Sequence, residues 1–383
     1  MSKNNRAILL VSLICGSSLA AQHPVKQTPT PPGRKADGAK TPSKSAQVEA
    51  DAPKGLFPVK VKDKWGYIDG RGKLAISPQF EAAEAFSDDM AAVKASGRWG
   101  FINRAGTLVI PADYKLVQRF AEGFAAVEKE SGWGFINKEG KPITTFRFLS
   151  ASEFVGGLGW ARAEGQDGFV DPEGKHLTFK QFDWIYSLND GLALVKVKEK
   201  CGFIDRAGTL AIAAELDCKP LEFTGIGGGG GLARMRYLEA LTAFSDGMAA
   251  FAVDKKWGYI DKTGKIVMAP QFTSKKVTPA VHPFTEGLAG VSVEDKWGVV
   301  DKTGKMVVEP RYENEDGPGR FSEGRAAVAV GGKWGYIDAT GKLVVAAQFE
   351  KGDAFANGLA RVWIEGKVCY INKAGKLVWK PEE

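Results

Sequence analysis

Six Trp-Gly pairs recur along the sequence: Trp65-Gly66, Trp99-Gly100, Trp133-Gly134, Trp257-Gly258, Trp297-Gly298 and Trp334-Gly335. Three degenerate copies, Asp167-Gly168, Cys201-Gly202 and Val368-Cys369, fill the gaps and give nine anchors spaced 34, 34, 34, 34, 56, 40, 37 and 34 residues apart. A period of this size constrains the fold more than any other feature. Each copy is one supersecondary unit that cannot bury its apolar face alone and must stack on its neighbours.

Alignment on the anchor shows how closely the unit is specified. Two places later stands an aromatic residue in eight copies, with Val299 the exception, and the next residue is always Ile or Val. Asp or Asn occurs four places after the anchor in all nine copies, and Gly seven places after it in all nine. Trp, aromatic and Ile alternate with Gly and Asx at period two, which specifies a strand. The Asx side chain starts a turn by bonding nearby backbone, and glycine supplies the positive φ that closes it. A second strand, such as Lys265-Ile266-Val267-Met268, runs to an aromatic fifteen places after the anchor, with Leu216 the one aliphatic substitute. Pro78, Pro270 and Pro310 precede that aromatic by two residues, where a strand can end without a donor. Thirteen places before the anchor lies an apolar residue, usually within Phe-x-(Glu/Asp)-Gly, as in Phe244-Ser245-Asp246-Gly247. An Ala/Val strand leads from there to the Trp, so each unit reads as a three-stranded meander.

The run Lys256-Trp257-Gly258-Tyr259-Ile260-Asp261-Lys262-Thr263-Gly264-Lys265 resembles the core of the WG-repeat (KWG) family, and the resemblance covers about residues 55–383. It implies a β-rich tandem repeat of bacterial, often exported or cell-envelope proteins, with an interaction role and no shared catalytic activity. Asp167, Cys201 and Val368 depart from the pattern in the Trp slot.

The array from 55 to 383 is preceded by two other segments. Lys3 and Arg6, the apolar run Ala7–Ile14 and Ser18-Leu19-Ala20 have the layout of a secretory signal peptide over residues 1–20, too short to span a bilayer. A lipoprotein reading would lipidate Cys15, but bulky Ile14 stands where such signals have a small residue. Residues 21–54 hold six prolines with Lys, Thr, Ser and Ala, the composition of a linker that cannot offset its ordering entropy. Of the net charge of +7, +2 falls in the leader and +3 in the linker, which leaves the repeats near neutral. That mixture gives no basis for nucleic acid as a partner. Among the cysteines outside the leader, Cys201, Cys218 and Cys369, one disulfide at most can form; Cys201–Cys218 is the closest pair in sequence, and Cys201 reads equally as a buried small hydrophobe.

The repeat core never changes length; variation falls between one unit's terminal aromatic and the next unit's leading Phe. That connection is normally five residues, and grows to 27 within 217–243, 11 before Phe284 and 8 before Phe321. Insertions in repeat proteins fall on one face, often the binding face. The 27-residue connection carries a glycine run and then Arg234, Arg236 and Tyr237, the candidate binding loop. A phosphate loop would require Gly-Lys-Ser/Thr after the glycines, and none follows. The Trp column (Trp65, Trp99, Trp133, Trp257, Trp297, Trp334) reads as packed core rather than as a ligand ladder. The nine Asx residues read as turn caps, since one carboxylate per turn is too sparse for calcium. His176 and His282 lack neighbours at metal spacing, and no catalytic triad is legible. No catalytic, metal or cofactor residue is therefore assigned.

The expected fold is all-β, tandem three-stranded antiparallel meanders of about 27 strands in total, arranged as a β-solenoid or superhelix because nine units exceed the usual ~4–8 propeller blades. A closed propeller-like ring is the alternative. The expected function is an exported, non-enzymatic module binding a protein, peptide or envelope glycan, without cofactor or transmembrane span. The alternatives are a cell-envelope polysaccharide or peptidoglycan hydrolase, with carboxylates such as Glu222 and Glu239 on the insertion loops, and a passive spacer.

Overall fold

The computed structural model describes residues 55–198, 200–217, 243–275, 279–313 and 317–381. The leader, the linker and most of the 217–243 connection lie outside the described residues. Among the described residues are 31 strands in nine antiparallel sheets, one per anchor, and no helix. Repeat 6 shows the pattern: Met248–Val253, Lys256–Asp261 and Ile266–Phe272 pair in sequence order. Four repeats add a leading strand to the three expected: Ala82–Ala83, Ser150–Val155, Trp184–Asn189 and Lys351–Gly352. Repeat 3 gains Leu116–Val117, but its third strand shrinks to the bridges Trp133↔Phe148 and Ile136↔Pro142. Pro142 has no N–H for the ladder, and the Thr144 hydroxyl takes the Phe135 N–H instead.

The glycine of the Trp-Gly pair has a steric cause. Pairing steps from Trp257↔Phe272 to Tyr259↔Met268, so one residue opposes three across a bulge. The bulged backbone presses onto Gly258, where a Cβ would lie 2.4 Å from the Met268 carbonyl oxygen. The same approach recurs at Gly66, Gly100, Gly202, Gly298 and Gly335. Pro78, Pro270 and Pro310 sit inside this bulge and within the third strand. They do not mark its end, as the sequence suggested; the bulge is what dispenses with their missing donor.

The strand that carries the anchor is buried on both faces in each sheet, as at Tyr259 and Ile260, and the sheets stack head to tail. Trp257 and Tyr259 of repeat 6 share a cluster with Ala289, Val291 and Val300 of repeat 7. Tyr67 of repeat 1 meets Ala91, Val93 and Ile102 of repeat 2 at the corresponding positions. The series does not stop at repeat 9: Tyr370 meets Phe57, Val59 and Ile68 of repeat 1, and its hydroxyl donates to the Pro58 carbonyl at 2.8 Å. Tandem meanders with no sheet closed on itself are as expected from sequence. These contacts join the last repeat to the first, so the described residues between 55 and 381 form a circle of nine open sheets. The period of the sequence carries no information about the angle between neighbours, which is set by the residues at each junction. Neither terminal sheet borrows a strand from the other, so the seam is held by side chains.

Candidate functional site at the seam of the ring

Each repeat begins with a turn whose third residue, eleven places before the anchor, is normally acidic. Because Met248 pairs with Asp261, this leading turn and the Asx turn lie at the same end of the strands. The acidic residues Asp88, Glu122, Asp190, Asp246, Glu286 and Glu323 adopt φ of 52–54°, sparsely populated for a non-glycine residue. Each reaches forward to the next repeat. Gly123 N–H donates to Asp88 and Gly287 N–H to Asp246, both at 2.6 Å. Where the next repeat has Lys five places after its anchor, the acid is usually Asp and splits its oxygens between amide and ammonium: Lys138 to Asp88, Lys262 to Asp190, Lys302 to Asp246. Where that place holds Pro172 or Ala339, the acid is the longer Glu and takes two amides. Glu122 accepts from Gly156 and Gly157, and Glu286 from Glu323 and Gly324. Glu323 has both kinds of partner, the Gly358 N–H and Lys373. The hydrogen bond from Lys138 holds the Asp88 carboxyl below its usual range against the opposing effect of burial.

Among the described residues this relay of acid to amide is interrupted twice. Repeat 4 has Gly156 in the acid slot, and repeat 9 has Asn357. Asn357 keeps the positive φ of the acids, at 51°, and stands at the seam. Here a cavity of about 770 Å³ spans repeats 8, 9, 1 and 2, within the size range of small-molecule sites. Its carboxylates are Asp88, Asp89 and Glu323, its cations Arg104 and Lys373, and its amides Asn357 and Asn372. Leu56 and Phe86 supply apolar wall. Arg104 pairs with Asp89 at 3.5 Å and lies 5.7 Å from the centre of the Phe86 ring.

The cavity was missed in the sequence, although Asn357 was visible there as the one amide in the acid column. Arg234, Arg236 and Tyr237 lie outside the described residues. The third strand ends opposite the anchor, as in Trp257↔Phe272, so the variable connections leave the sheets at the end opposite the cavity. Trp133, Trp257 and Trp297 are buried, and Trp65, Trp99 and Trp334 half-buried. All nine Asx side chains accept backbone N–H bonds within their own turn, for instance Asp261 from Thr263 and Lys265. Cys369 is free and buried, whereas Cys201 is disulfide-bonded to a partner outside the described residues.

The family described as WG containing repeat matches residues 65–99, 99–132, 133–166, 168–201, 257–297, 297–334 and 334–367, more than half of the chain. The chain belongs to the WG-repeat family. Those seven matches leave two of the nine sheets without one of their own, the WG repeats anchored at the degenerate Cys201 and Val368. None of the curated proteins compared matches this WG-repeat chain. A solved eukaryotic initiation factor is similar in fold at 12% identity and TM-score 0.56, over 86% of this chain and 96% of that one. Dihydro-heme d1 dehydrogenase NirN aligns at 11% identity and TM-score 0.43 over 86% of this chain and 73% of its own, and apo AztD from Citrobacter koseri at 12% and 0.41 over 85% and 93%.

The degenerate fourth WG repeat shows how the ring accommodates a lost Trp. Asp167 in the Trp slot pairs with Arg162 across the strands, with N–O distances of 2.6 and 3.1 Å. The Arg162 guanidinium lies 4.5 Å from the ring centre of Trp184, so the indole comes from the next repeat's leading strand.

Proposed function

We propose that this WG-repeat ring is an exported, non-enzymatic binding module that presents the seam cavity to a protein, peptide or envelope glycan. The observation that supports this reading is the cavity itself. Its walls come from four consecutive repeats, and two of its carboxylates, Asp88 and Glu323, are already fixed by the relay of acids to the next repeat's amides. Groups held in place before a ligand arrives lose little freedom on binding. The leader-like start of the sequence supports export.

Ala374 lines the cavity and is exposed, so Ala374→Trp fills it without removing a core contact. Capture of envelope material should be lost in that variant while the thermal midpoint stays unchanged. Capture that survives Ala374→Trp but is lost on deleting 219–241 would move the site to the insertion. Turnover of captured peptidoglycan would replace the binding reading with the hydrolase. Intact Met1 on the mature protein would remove the export clause.

A further inference from the structure

The polar groups of the seam cavity divide into those already engaged and those left over, and the remainder identifies a ligand. Its charges are mutually compensated. Glu323 is held by Lys373 at 3.0 Å, Asp88 by Lys138 at 2.7 Å and Asp89 by Arg104 at 3.5 Å. An ionic ligand would have to break one of these pairs, and Asp88 and Glu323 also hold the next repeat's leading turn. The amides are different. Asn357 makes no side-chain hydrogen bond among the described residues and is exposed. The Asn372 carbonyl oxygen takes two backbone N–H groups, from Ala374 and Lys376 at 3.1 and 3.0 Å, but its NH₂ donates to none of the described residues. Repeat 9 is the only described repeat with an amide in the acid slot, and that slot opens on this cavity.

We infer that the seam cavity binds an uncharged saccharide, with the side-chain amides of Asn357 and Asn372 hydrogen-bonding its hydroxyl or acetamido groups. A hydroxyl both donates and accepts, which matches the Asn357 amide with NH₂ and carbonyl available, and the Asn372 NH₂ adds a second donor. Leu56 and Phe86 line the cavity and offer apolar surface for the C–H faces of a sugar ring. A peptide terminus or an acidic polymer would need an unpaired counter-charge, and the compensated pairs do not supply one. This inference rests on the seam being the binding site proposed above.

The test uses the full chain and two neutral probes, maltotriose and triacetylchitotriose, in calorimetric titration, with alginate as the acidic control. At least one neutral probe should bind, with affinity changing less than about twofold between roughly 50 and 500 mM salt, because no net charge is neutralised. Asn357→Ala and Ala374→Trp should each weaken it by about tenfold or more, the former by removing the donor and the acceptor of the amide, with unchanged thermal midpoints. Binding of alginate alone, binding of neither neutral probe, or wild-type affinity in both variants would overturn the inference. If envelope capture still depends on Ala374 while no neutral sugar binds, the saccharide assignment fails and the module reading stands. If capture is also indifferent to Ala374, both fail.

Discussion

Two glycines separated by eleven residues show why one residue type can be required for different reasons. Gly247 has φ of 80° and nothing within 4 Å of where a Cβ would stand; Gly258 has ordinary φ but a carbonyl oxygen 2.4 Å away. Gly247→Ala should therefore lose about 1–2 kcal/mol, the left-handed penalty alone. Gly258→Ala forces the bulged strand outward and should lose about 1–3 kcal/mol, and only this variant should perturb amide shifts along Ile266–Phe272. Trp257 is 3% exposed, and Trp257→Ala should lower unfolding free energy by about 3–5 kcal/mol in denaturant titration. Unchanged stability would return the Trp column to the ligand-platform reading. At this scale most was legible. Period two placed Trp257, Tyr259 and Ile260 in a strand, and the invariant Asx and Gly placed the turn. The steric role of Gly258 was not legible, because it depends on a bulge between residues whose pairing the sequence does not state.

Between one element and the next, the forward-reaching acids tie turn to turn. Asp246 receives the Gly287 N–H and Lys302, which together outweigh the opposing effect of burial and lower its carboxyl pKa. A carboxyl lowered in the folded state contributes stability that is present above its unfolded pKa, near 4, and is lost as pH falls through the folded value. Hydrogen-exchange protection of the Gly287 amide should thus hold from neutral pH to about 4 and decline below it. Asp246→Ala should remove that protection at every pH and lower stability by about 1 kcal/mol, discounted for the partial exposure of the pair. The acid slot itself was visible in sequence as Phe-x-(Glu/Asp)-Gly. Its correspondence with Lys138, Lys262 and Lys302 was not, since each pair spans 50 to 72 residues and only the stacked sheets bring them together.

Across the whole molecule, the seam repeats the packing of the other junctions, with Tyr370 against Val59 and Ile68 as Tyr67 lies against Val93 and Ile102. Ending the chain after Phe349 should therefore expose repeat 1. Exchange protection at Val59 and Ile68 should collapse even though they lie at the far end of the sequence, whereas an open array would leave them unaffected. Tyr370→Phe, which removes only the hydroxyl bond to Pro58, should weaken the closure by about 1 kcal/mol, measured by the same amides. Ring closure is where the sequence says least. It left an open superhelix and a closed ring both standing, because nothing in a local pattern reports where residue 370 lies relative to residue 58.

Every sheet in this circle is built from one uninterrupted stretch of chain, the first and the last included. The molecule is therefore modular in a genetic sense: a duplicated or deleted copy adds or removes a whole wedge and leaves no orphaned strand behind. It also has no privileged beginning. Joining the old ends and opening the chain at another connection would yield a circular permutant with the same nine wedges in the same order.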